Sequence, residues 1–132
     1  MRKMISKQTK IRNLLNRVLN GDEKYVKARA KIEAYYGEVH RINRFNDSVS
    51  DEVIRHKITQ YLDLVEDIRN SLKELPVVEV NPNLNLNRDW AENLVKHLMS
   101  FPIKGKELRI QFANIVFAHE KWLDCEINQR NI

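Results

Sequence analysis

A long alternation of apolar residues in steps of three and four constrains the fold of this chain most. It runs through two neighbouring segments, from Tyr25 to Ile42 and from Ile54 to Leu75. Such spacing places side chains on one stripe of an α-helix, and a sustained alternation forms a seam along which two helices pack. Only Asn46-Asp47-Ser48 separates the segments. The sequence therefore predicts an antiparallel hairpin of helices at about 22–45 and 48–75.

Capping and breaking residues predict where these two helices begin and end. Asn20 or Asp22 is suited to accept the free amide hydrogens at the start of the first helix, and Ser48 those of the second. Pro76 ends the second helix because a residue before proline is pushed out of the helical region.

Three further segments have helical periodicity. The segment at about 6–20 carries an apolar stripe from Ile11 to Leu19. In the segment at about 88–101, Asp89 and Glu92 form a variant capping box. Its predicted buried face consists of Ala91, Leu94, Val95, Leu98 and Met99.

The last segment, at about 106–129, is apolar on two sides and is therefore the predicted most buried element. One side holds Leu108, Phe112, Ile115, Trp122 and Cys125, and the other holds Ile110, Ala113 and Phe117. The asparagine-rich stretch 76–87 includes Val77–Val80, for which the sequence offers no partner strand. We expect this stretch to be a loop.

These segments predict an all-α fold, a five-helix bundle-like single domain over residues 1–132. A basic helix and the hairpin occupy 1–75, the loop 76–87, and a C-terminal helix pair 88–130. A chain of 132 residues with 42% hydrophobic and 31% charged residues has the composition of a soluble globular domain. The single cysteine excludes an internal disulfide and a multi-cysteine zinc module. Because no signal-like or membrane-spanning apolar run occurs, we expect a cytoplasmic protein.

Positive charge is concentrated at the start of the chain. Residues 1–44 contain twelve lysines and arginines against four acids, whereas residues 45–132 contain eleven against fourteen. Lysine and arginine release condensed counterions when they contact phosphates, so the pattern favours a nucleic-acid or acidic-partner surface. The candidate contact residues are Arg2, Lys3, Lys7, Lys10, Arg12, Arg17, Lys24, Lys27 and Lys31.

Two simpler interpretations of this charge remain open. The basic face is solvated and keeps the protein soluble, or it is neutralised by the acidic half of the chain. Asp63, Glu66 and Asp67, spaced at i, i+3 and i+4, are suited to be that internal partner.

Catalytic and metal-binding patterns are missing from the sequence. None of the four histidines has another histidine at the spacing of a helical zinc site, and three scattered glycines make no phosphate-binding loop. His119 follows the apolar stripe of the last segment and is predicted to be semi-buried. The acids beside Cys125 oppose the charge of a thiolate nucleophile. We expect no enzyme activity, no cofactor and no metal.

The sequence thus predicts a small non-catalytic helical regulator that engages a nucleic acid or nucleoprotein machine through its basic N-terminal surface. The alternative is a helical adaptor or inhibitor that docks on one protein without nucleic acid. In that alternative Val77–Val80 adds to the edge of a partner's sheet. Self-association through the helical seams into a homodimer is a further option.

Overall fold

The fold is all-α. The computed structural model describes residues 7–12, 22–42 and 49–132, and all regular secondary structure in these ranges is helical. Residues 7–12 belong to a first helix, α1. Four longer helices follow: α2 (Glu23–Ile42), α3 (Asp51–Lys73), α4 (Leu84–Ser100) and α5 (Gly105–Arg130). The predicted helical bundle is confirmed.

Helices α2 and α3 form the predicted hairpin. Every apolar residue of the seam, from Tyr25 to Leu75, is at most 8% exposed. Near the middle of the seam the hydroxyl oxygens of Tyr35 and Tyr61 lie 2.9 Å apart, which fixes the register of the two helices. The predicted link at 46–48 lies outside the described residues.

The N-caps of the hairpin agree with the sequence in one helix and differ in the other. Asp22 Oδ1 accepts a hydrogen bond from the backbone N–H of Lys24 at 3.2 Å, so the prediction of Asp22 is confirmed. The prediction of Ser48 is wrong, because Ser50 Oγ caps α3 by accepting from the backbone N–H of Val53. This later start places two acids in the first turn of α3, where the helix dipole favours negative charge.

Helix α4 begins four residues earlier than predicted. Asn83 occupies the position before the helix, and the Asn87 side chain donates to the Asn83 carbonyl. Asp89 and Glu92 therefore lie inside the helix, and the predicted capping box is wrong. Asparagine side chains often hydrogen-bond to the backbone of turns, but here the Asn87 side chain hydrogen-bonds to the backbone at the first turn of α4.

Several apolar residues predicted to face inward are exposed instead. Met99 is exposed on α4, Ile11 is exposed on α1, and Ile110, Ala113 and Phe117 are exposed on α5. Helix α5 still has more buried residues than the other long helices, but only one of its two apolar sides is buried. The remaining residues of the predicted stripe on α1 lie outside the described residues.

Contacts between helices fix their directions. Helices α3 and α5 run parallel, as three contacts in matching order show: Asp51 with Arg109, Tyr61 with His119, and the Leu75 carbonyl with Arg130. Helix α4 runs antiparallel to α5, with Asn87 against Cys125 and Trp90 against Phe117. One hydrophobic core contains residues of α2, α3, α4 and α5.

Of the loop predicted at 76–87, residues 76–83 are a loop, including Val77–Val80, whereas 84–87 belong to α4 and the prediction is wrong there. The backbone N–H groups of Val78 and Glu79 both donate to the carbonyl of Gln129 at the end of α5. The Gln129 side chain accepts from the backbone N–H of Asn81. This loop is thus held to α5, and these backbone donors are already used within the chain.

Candidate nucleic-acid interface

Six of the nine predicted contact residues lie within the described ranges. Lys7, Arg12, Lys24 and Lys27 are exposed, and Lys10 and Lys31 are partly buried. Arg2, Lys3 and Arg17 lie outside the described residues. We use "basic surface" below for the six described cations of α1 and α2.

The basic surface occupies one end of the bundle. The Lys10 ammonium group on α1 contacts the side-chain oxygen of Asn128, near the end of α5. Because α5 runs parallel to α3 and therefore antiparallel to α2, the end of α5 and the start of α2 lie at the same end of the bundle. Lys24 and Lys27 belong to that first part of α2. The fold thus brings cations from two separate helices to one end of the molecule.

The three lysines of α2 lie along one flank of that helix. Their spacing of three and four residues keeps Lys24, Lys27 and Lys31 on one side, over roughly 10 Å of helix length. None of them forms an ion pair with a carboxylate of the described residues. Their charge is thus left available to a partner or to solvent.

The acids expected to neutralise these lysines do not contact them. Asp63, Glu66 and Asp67 are exposed on α3, and the Glu66 carboxylate lies 3.8 Å from Arg69 of the same helix. Within the described residues, no ion pair supports internal neutralisation. Asp22 and Glu23 precede Lys24 directly, so the net positive charge is lower at the very start of α2 than along its flank.

Several arginines, by contrast, are used by the fold. Arg109 of α5 pairs with Asp51 of α3 at 3.1 Å, and its side chain is 21% exposed. The backbone N–H of Gly105, followed by Arg109, holds the pKa of the Asp51 carboxyl below its usual value. On α2, Arg29 and Arg41 pair with glutamates of the same helix. The contrast separates structural arginines from the unpaired lysines.

A buried polar cluster lies at the centre of the bundle, where α2, α3 and α5 meet. The His119 ring lies 5.6 Å from that of Tyr61, whose hydroxyl meets that of Tyr35. Burial raises the pKa of both tyrosines, and burial together with the positive charge of Arg69 lowers the pKa of His119 to about 4. All three side chains are therefore neutral at pH 7.

The sequence predicted His119 as semi-buried, but it is only 3% exposed. The tyrosine pair was not predicted. The sequence shows only that both tyrosines occupy seam positions of the hairpin. That they lie opposite each other depends on the register of the two helices.

The surface between α2 and α3 contains a depression of about 490 Å³. Its lining consists of Glu38, Arg41, Lys57, Gln60, Asp63 and Leu64. The Glu38 carboxylate is already held by Arg41 at 2.9 Å. The described lining includes no histidine, cysteine or serine.

The described ranges contain neither a candidate metal site nor a candidate membrane-spanning helix. No group of three or more His, Cys, Asp and Glu side chains is placed to hold a metal ion. No helix in these ranges combines the length and the apolar character needed to cross a bilayer.

Comparison with protein-family models, curated proteins and solved structures finds no match to this chain.

Proposed function

We propose that this protein is a small, non-catalytic helical binding protein that engages a nucleic acid or a nucleoprotein complex through the basic surface. The observation that carries the proposal is the unpaired state of Lys24, Lys27 and Lys31 among the described carboxylates. The proposal places the protein in the cytoplasm, where nucleic acid is accessible to it.

The arrangement of the cations suits a phosphate backbone better than base edges. The α2 lysines follow the axis of one helix, and Lys7, Lys10 and Arg12 add charge from α1 at the same end. Ammonium groups on long side chains meet phosphates as point charges and release their counterions. Contacts of this kind set affinity and orientation but do not select a base sequence.

The first experiment compares two double variants for binding to a mixed-sequence DNA duplex and to a single-stranded RNA. Lys24→Gln/Lys27→Gln removes two exposed cations of the basic surface. Lys57→Gln/Lys104→Gln removes the same charge from a lysine of α3 and from the lysine before α5, neither of them in an ion pair with a described carboxylate, and is the matched control. We expect the first variant to lose about tenfold or more in affinity at low salt, because two phosphate contacts are lost, and the control to lose much less.

Equal losses in the two variants would contradict the proposal, because only overall charge would then matter. Failure of the unmodified chain to bind either nucleic acid at low salt would contradict it as well.

Co-purification with nuclease treatment distinguishes the adaptor alternative. Under the proposal, partners of the tagged chain are lost when nucleic acid is digested. A single protein partner that survives digestion would favour docking on that protein instead.

A further inference from the structure

The outer side of the C-terminal helix pair has an unusual number of exposed large apolar side chains. We call this side the α4–α5 face. On α4 and its C-cap it contains Leu86, Trp90 and Phe101, which are 71%, 40% and 55% exposed. On α5 it contains Ile110 and Phe117, which are 47% and 50% exposed. Large contiguous apolar patches on a soluble protein mark interaction sites.

The two halves of this face touch each other. The rings of Trp90 and Phe117 meet edge to face with centroids 5.8 Å apart, and His97 packs on Phe101 at 4.6 Å. The opposite flank of α4 is turned toward α3, where Glu92 lies 3.8 Å from Arg69. The α4–α5 face is therefore on the outside of the bundle, and the exposures of its residues show that the rest of the described chain leaves it open.

The central positions of the face carry uncharged residues: Asn93, three residues beyond Trp90 on α4, and Ala113 and Asn114, four and three residues before Phe117 on α5. The Lys121 ammonium group reaches from the rim to the Phe117 ring, 5.2 Å from its centroid. Charged residues surround this centre at both ends. An uncharged core with aromatic residues and a charged rim is the usual anatomy of a protein–protein interface.

On each helix, the rim residues on the two sides of the centre include pairs of opposite charge. Asp89 and Lys96 lie on either side of Asn93, at nearly equal distances along α4. On α5 the same holds for two pairs around Asn114: Glu107 with Lys121, and Lys106 with Asp124. The contacts of Trp90 with Phe117 and of Asn87 with Cys125 place the midpoints of all three pairs within about one helical turn of a common line across the face.

We infer that the α4–α5 face binds a second copy of this chain through a two-fold axis along that line. The two-fold rotation lays α4 antiparallel on α4 and α5 antiparallel on α5. Asp89 then faces Lys96 of the second copy, and Glu107 faces Lys121 of the second copy, each contact occurring twice. Lys106 likewise faces Asp124 of the second copy. An isologous interface must be self-complementary in this way.

This self-complementary charge pattern selects a second copy over an unrelated partner. A partner whose surface has charge of one sign would be repelled by either the acid or the lysine of every pair. The inference does not depend on nucleic-acid binding, since the basic surface belongs to α1 and α2. It differs from association through the hairpin seams, whose residues are buried within one chain.

The first experiment measures the mass of the full chain by sedimentation equilibrium over a range of protein concentrations, without nucleic acid. We expect the mass to rise with concentration to twice the 15.7 kDa of one chain. Trp90→Glu and Phe117→Glu each replace an aromatic side chain of the face by a carboxylate and should raise the dissociation constant by about tenfold or more. Val53→Glu introduces the same charge at a 45% exposed valine on α3 and should leave association unchanged.

A charge exchange tests the proposed axis itself. Asp89→Lys replaces both Asp89–Lys96 contacts of the dimer by contacts between two lysines. Lys96→Glu replaces them by contacts between two acids. Each single change should weaken association by roughly tenfold, because every contact occurs twice. The double variant Asp89→Lys/Lys96→Glu restores opposite charges and should return the dissociation constant to within about threefold of the original.

Circular dichroism of each variant is the control that the helical structure is retained. A mass that stays at that of one chain at the highest concentration would overturn the inference. Association that persists in Trp90→Glu and Phe117→Glu, or a double variant as weak as the single ones, would overturn it as well.

Discussion

At the scale of single residues, the centre of the bundle is polar in an unusual way. His119 is enclosed by aromatic rings, with Tyr61 at 5.6 Å and Trp122 at 6.4 Å. A charged imidazolium in this place would lose its hydration without gaining an acidic partner, and Arg69 adds like charge. The folded state therefore holds His119 neutral, and folding is coupled to its loss of a proton.

This coupling predicts a loss of stability in acid. The pKa of His119 is lowered to about 4 in the folded state, against 6.5 when unfolded. Its contribution to stability is complete above pH 6.5 and is lost as the pH falls through that range toward 4. We expect the free energy of unfolding in urea to fall by about 2 kcal/mol between pH 7.5 and 5 on account of this group.

His119→Gln should reduce that pH dependence, whereas His56→Gln, at an exposed position on α3, should retain it. An unchanged slope in His119→Gln would show that other groups cause the acid sensitivity.

The contact between the hydroxyls of Tyr35 and Tyr61 predicts that the losses of stability caused by replacing the two tyrosines are not additive. Tyr35→Phe and Tyr61→Phe each leave one buried hydroxyl without its partner at 2.9 Å, at a cost of about 1–3 kcal/mol. The double variant removes both hydroxyls, and its loss of stability should be clearly smaller than the two single losses together. Strict additivity in urea unfolding would mean that the two hydroxyls do not interact.

At the scale of helices, the seams and the Asp22 cap of α2 could be predicted from sequence, but the caps of α3 and α4 could not. The alternation in α2 and α3 leaves one buried stripe, so the prediction and the structure agree residue by residue. Two serines, Ser48 and Ser50, are equally suited to cap α3. The choice between them depends on how Asp51 and Glu52 are placed relative to the helix dipole and on the contact of Asp51 with α5.

Replacement of the cap tests this assignment. Ser50→Ala removes the acceptor for the Val53 N–H and should lower the free energy of unfolding by about 1 kcal/mol. Ser48→Ala is the matched control and should have a smaller effect. A larger effect at Ser48 would contradict the cap seen here.

The C-terminal pair shows a different limit of sequence prediction. Helix α5 is apolar on two sides, and periodicity alone indicates that both are buried. The structure buries the side of Ile115 and leaves Ile110 and Phe117 exposed, with Phe117 against Trp90. Sequence cannot separate a side that meets the same chain from a side that is left for another molecule. The α4–α5 face therefore emerged only from the packing.

At the scale of the whole molecule, the bundle has two separate surfaces with different chemistry. The basic surface gathers at the end where α2 begins and α5 finishes, and the apolar α4–α5 face covers the outer side of the C-terminal pair. The charge asymmetry was evident in the sequence. What sequence could not supply was the parallel course of α3 and α5, which brings Lys10 of α1 to the end that holds Lys24.

The central claim is that the lysines of α2 are available to phosphates, and the salt dependence of binding to a DNA duplex tests it most directly. Each phosphate contact contributes about −0.9 to the slope of log K against log salt concentration. We expect a steep slope for the unmodified chain and a slope shallower by about 1.8 for Lys24→Gln/Lys27→Gln. A flat slope in the unmodified chain, or the same slope in both proteins, would contradict the claim.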